Sequence, residues 1–146
     1  MMLRIGFAAA LLVTLAGGPA VAQTADTPIG TWLTQAGDAK IKIAKCGATL
    51  CGKIVWLRNE IDPQTGRPAI DDKNPIPALV GRPVKGITIF NDMRPSAPGK
   101  WSGQIYNADD GKTYLSSLLM AGPGVLRVEG CVGAICGGET WSLAGK

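Results

Sequence analysis

The chain has 146 residues, a formal net charge of +4 at pH 7 and no histidine. Histidine is the side chain that most often serves as general base or metal ligand near neutral pH, so its absence excludes Ser-His hydrolase triads and most zinc sites. The mild positive charge is spread along the sequence and forms no dense basic cluster, which argues against nucleic-acid binding.

The first 22 residues are predicted to be a signal peptide. Arg4 precedes an apolar run over residues 5–16, and the small residues Ala20 and Ala22 precede Gln23. The run is too short to cross a bilayer, and its flanks are typical of a cleaved secretory segment. We therefore expect residues 23–146 to form a single domain without a transmembrane segment, exported to the periplasm or secreted.

The remaining sequence alternates apolar and polar residues in short segments, and no segment shows a helical repeat. Tight-turn sequences such as NADDG (107–111) and AGPG (121–124) separate the segments, as in antiparallel hairpins. Eight strands are predicted, at residues 30–34, 39–46, 51–57, 85–90, 100–106, 112–120, 125–131 and 136–143. The fold class is all-β, and closure into an up-and-down barrel removes the exposed sheet edges. A two-sheet sandwich is the alternative.

The alternation predicts which side chains face the interior of the barrel. An eight-stranded barrel is just wide enough to be filled by side chains or to hold one small ligand. On this pattern the tryptophans either line an apolar cavity or form the core, and the sequence leaves both open. The predicted inward-facing residues are Trp32, Ile41, Ile43, Ile54, Trp56, Trp101, Ile105, Val128 and Trp141.

The four cysteines occur in two similar motifs, CGATLCG (46–52) and CVGAICG (131–137). An oxidising exported compartment favours disulfides, although four cysteines allow three connectivities that sequence alone does not distinguish. We predict Cys46–Cys51 and Cys131–Cys136, on the outer faces, because paired strands bring such positions close together. The two-residue spacing typical of zinc knuckles and redox pairs is absent.

The connection between the third and fourth predicted strands, residues 58–84, is long and rich in proline. Long ordered loops in compact domains are often functional. Asp72, Asn74 and Arg82 are predicted to form a polar rim over the barrel mouth, with residues 71–82 as a gate. The alternative is a loop held by proline rigidity and Asx turns over one end of the core.

Acidic residues are the remaining candidates for metal binding or catalysis. They show neither the alternating pattern of calcium loops nor a recognisable pair for glycoside hydrolysis. No catalytic residue, metal site or cofactor is therefore predicted. The acidic residues considered are Asp62, Asp71, Asp72, Asp92, Asp109 and Asp110.

Several segments, taken in order, resemble the family called domain of unknown function 2147. They are GTW (30–32), CGATLCGKIVW (46–56), DDKNPIPALVGRPVKGI (71–87), KWSGQIYNADDGKTY (100–114) and ETW (139–141). The family comprises small exported bacterial proteins that look like lipocalin-type barrels and has no established activity. The resemblance therefore implies a lipocalin-like barrel fold and export from the cytoplasm, and it implies no activity.

The sequence Gly30-x-Trp32 is also similar to the opening motif of lipocalins. In such barrels the tryptophan plugs the closed end, and a cation near the C-terminal strand commonly packs across the indole. Here Leu143 stands close to where that cation is expected, and Lys146 is the only cation that follows it. The chain thus departs from the lipocalin pattern at this contact.

These observations predict an exported barrel that binds a small apolar or amphipathic molecule and is not an enzyme. The alternative is an envelope protein-interaction module, such as a protease inhibitor, that uses the outer face and the hairpin tips. A hydrolase built on carboxylates alone is a third hypothesis, and no motif favours it.

Overall fold

The computed structural model describes residues 17–18 and 27–145. The predicted signal peptide, apart from Gly17 and Gly18, and the C-terminal cation Lys146 lie outside the described residues. Within residues 27–145, eight antiparallel strands form a closed barrel in which each strand pairs with the next and the last pairs with the first. The strands are β1 (Gly30–Leu33), β2 (Ala39–Cys46), β3 (Thr49–Leu57), β4 (Thr88–Ala97), β5 (Lys100–Asn107), β6 (Lys112–Gly122), β7 (Val125–Val132) and β8 (Ile135–Gly145).

The predicted fold class, strand number and up-and-down order are confirmed, and the sandwich is excluded. The largest boundary difference is in β4, which continues to Ala97 although the alternation stops near Phe90. Asp92 adopts a left-handed conformation with φ of 56°, and the pairing register with β5 shifts between Asn91 and Arg94. Such a bulge interrupts the period of two, so the alternation alone did not reveal the second half of this strand.

The up-and-down order places the connections alternately at two ends of the barrel. At one end, here called the closed end, lie the segment before β1 and the β2–β3, β4–β5 and β6–β7 turns. At the other, here called the open end, lie the β1–β2, β5–β6 and β7–β8 turns and the long β3–β4 connection, residues 58–87. A short 3-10 helix, Pro77–Leu79, occurs in this connection, and no helix in residues 27–145 is long and apolar enough to cross a membrane.

Large apolar side chains fill the part of the barrel toward the closed end. This packed core consists of side chains that are at most 1% exposed: Trp32, Ile43, Phe90, Met93, Leu118 and Leu126. Two glycines make room for it, because a Cβ at Gly52 would lie 2.5 Å from Cδ2 of Phe90 and a Cβ at Gly103 would lie 2.6 Å from Sδ of Met93. Close packing of this kind leaves little space for a ligand.

Trp32 takes the position that the lipocalin-like motif predicts, buried in the packed core. Its indole Nε1 donates a hydrogen bond to the carbonyl oxygen of Pro28 at 2.8 Å, which ties the segment before β1 to the barrel. Leu143 of β8 is its cross-strand neighbour. The cross-strand neighbour of Trp32 on β8 is thus an apolar side chain that packs, partly buried, against the core.

Both disulfides form within hairpins, as predicted. Cys46 and Cys51 bridge the β2–β3 hairpin at the closed end, and Cys131 and Cys136 bridge the β7–β8 hairpin at the open end. Cys131 lies directly opposite Cys136 in the β ladder, whereas Cys46 faces Thr49 and meets Cys51 diagonally. The Cα–Cα distance is 4.1 Å for Cys131–Cys136 and 5.5 Å for Cys46–Cys51.

Trp56 is the exception to the predicted inward-facing set, and the prediction for this residue is wrong. Lys40 pairs with Trp56 while the next residue, Ile41, pairs with Ile54, so β3 has one extra residue at Val55. This bulge reverses the alternation beyond it and turns the indole outward. The side chain is 37% exposed, and Nζ of Lys40 lies 5.1 Å from its ring centroid.

Candidate functional site

A cavity of about 740 Å³, here called the mouth cavity, occupies the barrel at the open end. Its walls include residues of the β1–β2 and β5–β6 turns and of the β7–β8 hairpin, which places it at this end of the barrel. Its apolar lining is supplied mainly by strand residues that face inward, including Ile41, Ile54, Ile89, Ile105, Val128 and Trp141. The ring of Trp141 lies 5.6 Å from that of Phe90, so it marks the boundary with the packed core.

Glycines on β7 and β8 help to create the space in the mouth cavity. Gly130 and Gly137 are cross-strand partners, and both line the cavity. A Cβ at Gly130 would lie 3.8 Å from Cβ of Tyr114, and a Cβ at Gly137 would have no heavy atom within 4 Å. Larger residues would therefore project into open space at these positions, unlike at Gly52 and Gly103 in the packed core.

The polar part of the lining contains carboxylates and phenols. Glu139 lies on the inward face of β8, where its Oε1 accepts a hydrogen bond from Nε1 of Trp141 at 2.6 Å. Asp38 in the β1–β2 turn accepts a hydrogen bond at Oδ1 from Oγ1 of Thr34 at 2.5 Å. Asp109 in the β5–β6 turn also lines the cavity. The apolar chamber thus has acidic groups at several points of its wall.

Tyr114 is a further lining residue, and its hydroxyl donates a hydrogen bond to the carboxylate of Asp110. This bond raises the pKa of Tyr114 above its usual value of 10.0, and the negative charge of Asp110 acts in the same direction. The same bond lowers the pKa of Asp110. The phenol is therefore neutral, and Asp110 is ionised, at physiological pH.

The rim of the mouth cavity carries exposed apolar side chains. Val132 and Ile135 flank the β7–β8 turn, both line the cavity, and they are 68% and 81% exposed. The Cys131–Cys136 disulfide lies immediately beside them. The bridge holds this tip in one shape, so the apolar rim is presented in a fixed orientation.

A buried carboxylate, Asp71, anchors the β3–β4 connection to Tyr106 of β5. Tyr106 donates from its hydroxyl to Oδ1 of Asp71 at 2.5 Å, and Oδ2 accepts from Nδ2 of Asn74 at 2.8 Å and from Nε of Arg82 at 2.9 Å. The guanidinium of Arg82 also lies 5.7 Å from the ring centroid of Tyr106. We call these four residues the Asp71 cluster.

Hydrogen bonding determines the charge of the Asp71 cluster. Burial by itself would raise the pKa of Asp71, but the hydrogen bonds from Tyr106, Asn74 and Arg82, with the positive charge of Arg82, outweigh it and lower the pKa below 3.8. Burial and the bond to Asp71 raise the pKa of Tyr106 above 10.0. An ionised carboxylate thus forms the centre of the cluster, and its acceptor atoms are satisfied.

The structure divides the predicted ligand-binding residues among several places. Ile41, Ile54, Ile105 and Trp141 line the mouth cavity, whereas Trp32 and Ile43 belong to the packed core and Trp101 packs against it, partly buried. The side chain of Trp56 faces outward from the barrel. Asn74 and Arg82 join the Asp71 cluster and line a second cavity of about 610 Å³ beside the connection, and Asp72 is exposed.

No residue in the range 71–82 lines the mouth cavity, so the predicted polar rim and gate are not found there. Asp71 turns inward while its neighbour Asp72 faces solvent, and the tandem acids gave no indication of which would be buried. Tyr106 was missed because its partner, Asp71, is 35 residues away in the sequence. Glu139 was detectable, since alternation places it on the same face of β8 as Trp141.

Comparison with known proteins agrees with this architecture. The protein HP1028 from the human pathogen Helicobacter pylori, described as belonging to the lipocalin family, superposes with a TM-score of 0.66 and 21% sequence identity, covering 79% of this chain and 81% of that one. At this identity the likeness shows the fold alone. No curated protein matches the chain. A family model described as "Uncharacterized protein conserved in bacteria (DUF2147)" matches residues 30–142, and the chain therefore belongs to the DUF2147 family.

Proposed function

We propose that this protein binds one small apolar or amphipathic molecule in the mouth cavity. The supporting observation is a chamber of about 740 Å³ with a largely aliphatic wall, in a barrel whose other end is filled by side chains. Small-molecule sites in proteins are typically concave, mostly apolar clefts of roughly 300–1,000 Å³ with a few polar groups. Its size and lining are those of such a site.

The exposed rim supports entry of the ligand from the open end. Val132 and Ile135 would otherwise be large apolar side chains left in water, next to a disulfide that holds them in place. Both line the cavity, so binding of an apolar molecule accounts for them directly. The alternative of an interaction module would use the same tip, and we prefer ligand binding because it also accounts for the chamber behind the tip.

We propose binding without catalysis. The buried carboxylate Asp71 is bonded at both oxygens, and it is not among the residues that line the mouth cavity. Its hydrogen bonds keep it ionised and occupied, which suits a structural anchor better than a general acid or base. A carboxylate-only hydrolase needs a pair of acids that face the substrate, so it would have to use Asp38, Asp109 or Glu139 of the mouth cavity and not Asp71.

We place this binding role in the periplasm or outside the cell. The two disulfides are consistent with an exported protein, because such bridges persist in oxidising compartments. Cell fractionation with detection of the processed N-terminus tests this assignment. Recovery of the unprocessed chain from the cytosol with reduced cysteines would contradict it.

A cavity-filling substitution tests the binding role. The neutral fluorescent probe N-phenylnaphthylamine is titrated into the oxidised protein, and we expect saturable binding at one site per chain. Gly130→Phe should weaken binding at least about tenfold, because its ring would occupy the chamber, and tenfold in Kd corresponds to about 1.4 kcal/mol. A Cβ at this position meets Tyr114 and Ile105 only at 3.8 and 3.9 Å, so the substitution is compatible with the backbone.

Gly81→Phe is the matched control for this experiment. Gly81 lies in the exposed β3–β4 connection, outside both cavities, and a Cβ there would have no heavy atom within 4 Å. We expect this variant to bind the probe as the parent protein does. Failure of the parent protein to bind, or equal binding by Gly130→Phe, would overturn the proposal.

A further inference from the structure

The charge of the mouth cavity differs in sign from the charge of the whole chain. Asp38, Asp109 and Glu139 line the cavity, and the described lining residues include no lysine or arginine. The sequence as a whole carries 15 lysines and arginines against 11 acidic residues. No cation is therefore among the described residues that line this chamber, and the charged groups that a ligand meets there are negative.

These carboxylates have no cationic partner within 4 Å in the described part of the chain. The salt bridges found there join Arg82 to Asp71, Lys85 to Glu60, Arg94 to Asp92 and Arg127 to Glu129. Three cations lie close to lining residues without pairing with these carboxylates. Nζ of Lys73 donates to the carbonyl oxygen of Asp109 at 2.8 Å, the guanidinium of Arg58 lies next to Gly37, and that of Arg82 pairs with Asp71.

Aromatic faces accompany the carboxylates in the same chamber. Trp141 and Tyr114 line it, and Tyr106 does so as well, with the guanidinium of Arg82 5.7 Å from its ring centroid. The hydrogen bond between Nε1 of Trp141 and Glu139 holds an indole and a carboxylate side by side. Ring faces attract cations through their quadrupoles, and aromatic groups combined with negative charge are a recurrent means of recognising ammonium ligands. The carboxylates and the rings thus favour the same ligand charge.

We propose that the ligand of the mouth cavity is a cationic amphiphile, an apolar body with an ammonium or guanidinium group placed near Glu139 and Trp141. The inference rests on the proposed binding role and adds the charge of the ligand. A carboxylate or phosphate on an otherwise similar molecule would face several anions in a partly desolvated chamber, where like charges repel more strongly than in water. Fatty acids and acidic lipids are therefore disfavoured ligands.

Three probes with the same ten-carbon tail separate the charge of the ligand from its apolar part. Decyltrimethylammonium, decyl glucoside and decanoate are titrated into the oxidised protein below their micelle-forming concentrations, with binding followed by calorimetry. We expect the ammonium probe to bind at least about tenfold more tightly than decanoate, equivalent to about 1.4 kcal/mol, with the neutral glucoside between them. Added salt should reduce the difference, because it screens charge.

Glu139→Gln should bring the ammonium and decanoate affinities toward equality, since it removes a carboxylate and keeps an oxygen that accepts from Trp141. Asp38→Asn provides a second test, and it should also bring the two affinities closer together. Glu129→Gln is the matched control, because Glu129 is on the neighbouring strand, pairs with Arg127 and does not line the cavity. It removes the same charge from outside the chamber and should leave the preference intact.

The outcomes distinguish this inference from the proposed function. If the glucoside binds and decanoate binds as tightly as the ammonium probe, the cationic preference is overturned and the binding role stands. An equal loss of preference in Glu129→Gln and Glu139→Gln would also overturn it, because overall charge would then be responsible. If none of the probes binds, the binding role itself is overturned.

Discussion

The two ends of this barrel are built from the same eight strands, yet side chains fill one end and leave a chamber in the other. Toward the closed end, Trp32, Phe90 and Met93 are at most 1% exposed. At the open end, Val132 and Ile135 are among the most exposed apolar residues of the described chain. A packed core and an open chamber thus occupy different ends of one continuous sheet.

Glycines take part at both ends with opposite effects. Gly52 and Gly103 are required because the ring of Phe90 and the thioether of Met93 lie where a Cβ would be. Gly130 and Gly137 have no such neighbour and leave space in the chamber. The same residue type therefore allows tight packing in one region and an empty volume in the other, and its neighbours decide which.

Removal of a large side chain from each end tests this comparison most strongly. Phe90→Ala should lower the free energy of unfolding by about 4 kcal/mol, because it deletes a fully buried ring and leaves a cavity. Ile135→Ala, at a position 81% exposed, should change it by less than about 0.5 kcal/mol. Urea denaturation monitored by tryptophan fluorescence measures both. Similar losses in the two variants would refute the division into a packed end and an open end.

Adding a methyl group at each end gives the second test. Gly103→Ala should cost roughly 3 kcal/mol by overpacking, since its Cβ would lie 2.7 Å and 2.8 Å from the main-chain oxygens of Asn91 and Asp92, which cannot rotate away. Gly130→Ala should stay within about 0.5 kcal/mol of the parent protein. The same urea titrations apply, and a Gly130→Ala loss as large as that of Gly103→Ala would mean that the chamber wall is tightly packed.

The Asp71 cluster, which ties the β3–β4 connection to the barrel at its open end, gives the third test. This test concerns the dependence of the free energy of unfolding on pH. Asp71→Asn should lower the free energy of unfolding at pH 7 by about 2 kcal/mol, because charge-assisted hydrogen bonds are lost. The folded-state pKa of Asp71 lies below its ordinary value of 3.8, so its ionised form stabilises the protein above that pH. This contribution decreases as the pH falls through the folded-state pKa.

The difference between Asp71→Asn and the parent protein should therefore be constant near neutrality and shrink as the pH falls below about 4. Unfolding curves measured from pH 7 down to pH 2 test this. Asp72→Asn is the control, because the adjacent carboxylate is exposed and outside the cluster. A constant difference throughout the acid range would contradict the assignment of an ionised Asp71.

The two disulfides provide the fourth test of the comparison. Each closes a loop with a sequence separation of five residues, so replacing either pair with serines should cost about 2 kcal/mol of stability. Binding of the neutral probe should respond differently. The Cys131/Cys136 variant should lose about three- to tenfold in affinity, because the rim beside the chamber is no longer held in one shape, and the Cys46/Cys51 variant should not. Equal effects on binding would show that the open-end bridge has no special role.

Much of the fold was predictable because local patterns determine it. The alternation of apolar and polar residues and the tight-turn sequences predicted the eight strands and their order. The five-residue cysteine step favoured the two disulfide pairs that form, among three possible connectivities. Each of these features depends on residues close together in the sequence. The prediction failed where the alternation is broken by a bulge, at Val55 before Trp56 and at Asp92 in β4.

The candidate site was only partly predictable. Ile41, Ile54, Ile105 and Trp141 were correctly expected to face inward, and they line the mouth cavity. Whether an inward residue contacts a chamber or the packed core depends on the sizes of its cross-barrel neighbours. Ile43 and Trp32 have the same alternation and are buried in the packed core. No local pattern distinguishes these two sets.

By itself, the sequence determined the all-β class and the order of the eight strands, because period-two alternation and short turns act over a few residues, and it favoured bridges within two hairpins without excluding the other pairings. The tertiary structure decided which end of the barrel is hollow, which carboxylate is buried and that residues 71–82 lie outside the mouth cavity. These properties depend on contacts between distant segments, as between Asp71 and Tyr106 or Gly103 and Met93. They are set by the volumes and hydrogen bonds of partners that come together only when the barrel closes.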